Sequence, residues 1–176
     1  MNNKILILSS FLILSGCSSI EKNRNNIAQL FTKDDIYHIS LLNTHKAQLI
    51  ASLETKALLT ATYLNPVFKH ENCKNFCINV EGGEYFFVGV YISDSKSQRF
   101  DTKGYSLTLN GHKPIEVKKL DKDDPLRYEM PMVDNWSTYY KVKFPKVNQD
   151  ELVMVFENDR FGRDVLYFSK HAKDPF

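Results

Sequence analysis

The chain has 176 residues and carries 23 Lys and Arg against 21 Asp and Glu. That near-balance gives no electrostatic case for nucleic-acid binding, which depends on a clustered basic surface. Twelve Phe and nine Tyr beside seven Gly and six Pro exclude a disordered chain, and the length suits one domain with a real core.

Lys4 precedes Ile5-Leu6-Ile7-Leu8-Ser9-Ser10-Phe11-Leu12-Ile13-Leu14, an uncharged run. About 20 apolar residues are needed to cross a hydrocarbon core, so this run is too short to span and fits the apolar part of an export signal. Leu14-Ser15-Gly16-Cys17 follows. It resembles the lipobox of bacterial lipoproteins: an apolar residue, two small ones that enter a peptidase cleft, then a cysteine whose thiol takes a diacylglyceryl group. The resemblance implies a signal peptide over residues 1–16 and lipidation at Cys17. It also implies membrane attachment through that lipid, since two acyl chains suffice for stable anchoring where one does not. Ser18 after the cysteine resembles the sorting pattern for the outer membrane, so the expected location is the cell envelope, lipid-anchored, at the outer membrane. Removing the signal takes Lys4 and no acid, which leaves the charge near neutral.

Residues 17–33 are polar and Asn-rich and read as a lipidated cysteine with a tether, reaching at most roughly 50–55 Å when extended. Residues 34–176 form the expected domain. A short helix is expected at its start, with Thr32 or Asp34 as cap and Ile36, Ile39 and Leu42 at helical spacing. His45 to Leu53 fits a strand or a helix face equally. From Lys56 onward the pattern is strand-like. Ala57 to Leu64 ends at the Asn65-Pro66 turn signal, and Val67 to Ile78 is an excursion. Phe86, Val88, Val90 and Ile92 share one face of the next strand. Tyr105 to Leu109 leads to Asn110-Gly111, a strong hairpin signal, with Ile115 and Val117 on the expected return strand. Leu120 to Pro125 is a loop. Thr138 to Phe144 alternates, Leu152 to Phe156 is the apolar run of a central strand, and Val165 to Phe168 closes the series.

About seven strands without helical patterns between them make the fold class mainly β. A two-sheet sandwich buries one apolar face of each sheet, and an immunoglobulin-like arrangement is the expected version, without the Cys…Trp…Cys signature. Thr60-Ala61-Thr62-Tyr63-Leu64-Asn65-Pro66, Trp136-Ser137-Thr138-Tyr139-Tyr140 and Phe156-Glu157-Asn158-Asp159-Arg160-Phe161-Gly162 resemble stretches of a lipoprotein family of epsilon-class proteobacteria, of the Campylobacter and Helicobacter type. The resemblance implies an immunoglobulin-like fold and, the family having no established activity, nothing about mechanism.

With Cys17 lipidated, Cys73 and Cys77 remain, and in an exported, oxidising setting a disulfide between them is expected. A loop so short contributes on the order of 2 kcal/mol and pins only a local excursion. His70-x-x-Cys73-x-x-x-Cys77 also holds soft-metal ligand types, but a structural zinc site wants four ligands, and His38, His45, His112 and His171 are scattered singly. No metal site is therefore expected, although a periplasmic ligand or metal carrier using His70–Cys77 stands as the alternative function. Asp121, Asp123 and Asp124 fail the EF-hand pattern, with Leu126 and Met132 where Gly and Glu are required. No G-x-S-x-G, H-E-x-x-H or phosphate-binding glycine loop occurs, so neither catalytic residues nor a cofactor is expected.

Trp136, with Tyr128, Tyr139 and Tyr140, is the densest aromatic cluster beside a loop. Tyr140 alternates with Lys141 and Lys143 and is expected in the core. Trp136 is open between core packing and partner contact. The leading expectation is a non-enzymatic binding or assembly module for an envelope protein or glycan.

Overall fold

A computed structural model describes residues 36–69, 77–93, 95, 98–101 and 104–171. Of these, 48% are in strands and 13% in helices, which places the chain in the mainly β class. The elements in chain order are α1 (Ile36–Leu42), β1 (Thr44–Ala51), β2 (Glu54–Tyr63), α2 (Asn65–Phe68), β3 (Glu84–Ile92), β4 (Tyr105–Leu109), β5 (Glu116–Lys119), α3 (Pro125–Glu129), β6 (Thr138–Phe144), β7 (Glu151–Asn158) and β8 (Gly162–Ser169).

Two antiparallel sheets form a sandwich. One is ordered β1-β2-β3-β6-β5 and the other β4-β7-β8. With β1 set aside, the order of the remaining seven is that of a constant-type immunoglobulin domain, four strands in one sheet and three in the other. β1 is the eighth strand, built from the stretch after His45 whose spacing fits helix or strand. It pairs with β2 from Thr44↔Thr62 to Ala51↔Glu54, and burial of Ala47 and Leu49 selects the strand. Ser52 and Leu53 take positive φ at the turn that joins the pair. β1 also meets β8 across the open side of the sandwich. The His45 and Phe168 rings lie edge to face at 4.8 Å, and the Gln48 amide donates to Asp164 Oδ2 at 2.9 Å.

The expected hairpin at Asn110-Gly111 forms and stops at once. Asn110 and Gly111 have φ of 46° and 79°, and Leu109 and His112 exchange both backbone hydrogen bonds. The return strand does not continue beside β4. β5 pairs with β6 in the other sheet, so the turn begins a crossover between sheets. Pro114 supplies the reason, since it has no N–H to extend the ladder. Asn110 instead holds the turn to β7: its side-chain Oδ1 accepts from the Val153 amide at 2.8 Å and its own amide donates to Val153 O at 2.8 Å.

Between the sheets, Phe86, Val88, Val90 and Ile92 of β3 meet Met154 and Phe156 of β7 in one apolar cluster. A second cluster covers the outer face of the larger sheet. There Tyr85, Phe87 and Tyr139 pack under Leu64, Val67 and Leu126 from the α2 and α3 regions. Helices thus do cover a sheet face, contrary to the sequence pattern. One-turn helices of four and five residues are too short to leave a 3.6-residue repeat. β7 is the central strand of the smaller sheet, as its apolar run predicts, and β3 is the strand buried on both faces.

Gly89 is the small residue this outer layer requires. A Cβ there would lie 2.6 Å from Tyr139 Cε1 and 2.6 Å from Thr60 Oγ1. Tyr139, its register partner, lies over the gap and stacks on Phe87 at 5.1 Å. Gly89→Ala should lower stability by about 1–3 kcal/mol through overpacking, read from the urea midpoint with unchanged strand content by circular dichroism.

Candidate functional site

The ring of Tyr139 is the floor on which the segment between α3 and β6 is assembled. Asp124 caps α3 by accepting from the Leu126 amide at 3.0 Å, so this acidic turn is a helix cap. The cap directs Arg127 over the Tyr139 ring, 4.8 Å from its centroid. The other end of the segment is tied to the same residue: the Asp134 amide donates to Tyr139 Oη at 2.7 Å and the hydroxyl donates to Met132 O at 3.4 Å. Burial pushes the Tyr139 phenol above its ordinary range, so it stays protonated and serves as donor and acceptor together. Asp134 then organises the last turn, with Oδ1 accepting from the Trp136 and Ser137 amides at 3.0 and 2.6 Å and Oδ2 from the Ser137 hydroxyl at 2.9 Å.

This scaffold presents apolar side chains outward. Trp136 is 71% exposed and Tyr128 73%, and Met132 and Val133 are also exposed. Of the two readings open for Trp136, burial in the core is ruled out. Tyr139 and Tyr140 are the core members of the aromatic cluster, and Tyr140 Oη donates to Gln98 O at 3.1 Å. Met132 has φ of 60°, an uncommon backbone conformation for a non-glycine residue.

A buried charged cluster, not anticipated from the sequence, lies at the start of β3. Glu84 is almost fully buried. Its Oε1 meets Lys170 Nζ at 2.9 Å and accepts from the Val147 amide at 3.2 Å. Its Oε2 accepts from Tyr63 Oη at 2.5 Å and from Asn65 Nδ2 at 3.3 Å, and Lys170 Nζ also donates to Val147 O. Burial raises the Glu84 pKa, but the hydrogen bonds from Lys170, Tyr63 and Val147 and the Lys170 charge outweigh it and hold the carboxyl below its ordinary range. Burial, with the bond to Glu84, pushes the Tyr63 phenol far above its ordinary range.

A cleft of about 650 Å³ opens beside the cluster, lined by Asn65, Phe68, Glu81 and Lys146 among others. Each Glu84 oxygen already accepts two hydrogen bonds and Tyr63 holds its proton. The cluster therefore offers neither a free base nor a nucleophile, and its chemistry is that of a clasp.

Cys17, His70 and Cys73 lie outside the described residues, as do residues 1–35. Cys77 is exposed. Among the described residues, no three His, Cys, Asp or Glu side chains converge where a metal ion would sit, and no helix is long and apolar enough to cross a membrane. Comparison with known proteins finds no matching family model, no matching curated protein and no matching solved structure.

The sign of the Glu84 shift fixes a pH dependence. With its folded pKa below the unfolded value of about 4.3, Glu84 contributes stability that is fully present above that value and is lost as pH falls through the folded pKa. Glu84→Gln should flatten the acid limb of the stability–pH curve below about pH 5. Glu84→Ala should cost about 2–4 kcal/mol at pH 7, because the half-buried Lys170 loses its countercharge and the Tyr63 hydroxyl and Val147 amide lose their acceptor. Urea unfolding between pH 3 and pH 7 checks both.

Proposed function

We propose that this chain is a lipid-anchored binding module of the cell envelope and that it captures a protein partner through the exposed segment Arg127–Trp136. The single observation that carries the proposal is the exposure of Trp136 and Tyr128 on a segment tied to one buried tyrosine by the Arg127 side chain at one end and the Asp134 backbone amide at the other. Large aromatic side chains left in water on a preordered loop gain contact area on binding at little entropic cost. Arg, Tyr, Met and Trp are the residue types enriched at protein interfaces, which favours a protein over a glycan.

The anchor is assigned from Leu14-Ser15-Gly16-Cys17: the leader is removed and Cys17 bears the lipid at the outer membrane. No disulfide occurs among the described residues; a Cys73–Cys77 bond enters this reading only from the oxidising compartment that export implies. The activity is binding, without catalysis. The resemblance to the epsilon-proteobacterial lipoprotein family supports the fold and adds nothing to the activity.

Photo-crosslinking from position 128 in native membranes should trap a defined envelope protein. Trp136→Ala should weaken that capture by about 2 kcal/mol with melting temperature nearly unchanged, because the indole is exposed. Tyr139→Phe, which removes the loop's tie and keeps the ring, should weaken capture less. Undiminished capture by Trp136→Ala would sink the proposal.

Lipidation is checked separately. Cys17→Ala should release the protein from membranes or leave an unprocessed precursor, seen by fractionation and intact mass. A mature N-terminus elsewhere without acyl mass would remove the anchor from the reading.

A further inference from the structure

The sandwich is lopsided, with five strands in one sheet and three in the other. β1 is met by β8, so the opposite end of the larger sheet overhangs. β5 is that end. All four of its residues are exposed, Val117 at 37%, and Ile115 just before it is 60% exposed. Val117 pairs with Val142 on the face turned toward the smaller sheet, but the smaller sheet does not reach far enough to cover it.

The backbone of this edge is open as well. The Leu120 amide donates to Tyr139 O at 2.9 Å, and the register pairs Lys118 with Lys141 and Glu116 with Lys143. Alternation along an antiparallel ladder therefore turns the N–H and C=O of Glu116 and Lys118 toward β6 and those of Val117 and Lys119 outward. Among the described residues, nothing hydrogen-bonds these outward groups. Ile115 and Glu116 both face Lys143 at the strand's entry, a bulge-like step, but Glu116–Lys119 itself holds no proline, and its lysines are the main device against edge pairing.

The charges on the edge choose the occupant. Glu116 and Lys118 project on the same face, and neither forms an ion pair with a described residue. Lys118 stands directly opposite Lys141 in its own sheet, a like-charge pair that a nearby carboxylate would relieve. Consider a second copy paired antiparallel about a two-fold axis at Val117. Val117 faces its own counterpart in a hydrogen-bonded pair that uses the outward groups. Glu116 of each copy then faces Lys118 of the other in the closer, non-hydrogen-bonded position, twice by symmetry. Moving the axis one residue to Lys118 sets lysine on lysine, and moving it to Glu116 sets glutamate on glutamate. Only the Val117 register is self-complementary.

We propose that β5 is a self-association edge, through which two copies of this chain join their larger sheets into one continuous sheet. The interface is small, so the dimer is reversible and weaker than permanent ones.

The test is sedimentation equilibrium of the full chain in density-matched detergent. The chain should show a monomer–dimer equilibrium. Glu116→Lys and Lys118→Glu should each raise the dissociation constant at least about tenfold, since each converts two attractions into two repulsions. An equimolar mixture of the two variants should dimerise again, because every facing pair is then of opposite sign. Circular dichroism and melting temperature establish that each variant is folded. Should either fail to fold, Val117→Pro removes the outward donor without touching a bond to β6, and it should abolish the dimer alone. A chain that stays monomeric up to about 1 mM overturns the proposal. So does a dimer indifferent to these substitutions, or a mixture that does not re-associate.

Discussion

The Glu84 carboxylate joins four parts of the chain that are far apart in sequence. It is bonded to Tyr63 at the end of β2 and to Val147 between β6 and β7. It also meets Lys170 just past β8, and itself opens β3. The clasp spans both sheets, since β8 belongs to the smaller one. Burying a carboxylate costs several kcal/mol unless it is paired and hydrogen-bonded. Here every oxygen is satisfied, so the cost is offset only when all four segments are in register. That requirement makes the clasp a device for specificity: a strand displaced by one residue would leave a buried charge without partners.

From this corner the remaining architecture follows. Asn65, in the same cluster, accepts from the Tyr85 amide and donates to Gly83 O, continuing the β2–β3 pairing through a side chain after Pro66 ends the strand. β3 is thereby held as the strand that both layers need. One face supplies Phe86 and Val88 to the core between the sheets, and the other supplies Tyr85 and Phe87 to the layer under the short helices. Gly89 leaves the space into which Tyr139 lies flat, and the Tyr139 hydroxyl fixes the loop that carries Trp136. The exposed aromatic segment is therefore a consequence of packing on the outer face, reached through a short series of named contacts.

The two proposed surfaces differ in physical character. The Trp136 loop is preordered and rich in aromatic area, which suits a specific partner. The β5 edge offers backbone groups and a charge pattern that reads itself, which suits another copy of the same strand. They lie at different places on the larger sheet, the loop leading into the start of β6 and the edge along β5.

Strand positions, the mainly β class and the core faces of β3 and β6 were legible in the sequence, because two-residue alternation is a local property of a half-buried strand. The turn at Asn110-Gly111 was equally legible, since positive φ is a property of those two residues. Which strands pair was not. Local signals cannot show that Pro114 ends the hairpin after one bridge and sends β5 to the other sheet. Nor could they decide the stretch after His45, whose spacing fits both periods until burial against the core selects a strand. The alternatives for Trp136 were likewise closed only by the fold, because whether an aromatic is core or surface depends on which neighbours arrive from elsewhere in the chain. Glu84, a lone acid before an apolar run, carried no mark of its role. Its partners Tyr63, Val147 and Lys170 meet it only in three dimensions, and a buried charge has meaning only where its countercharge is in reach.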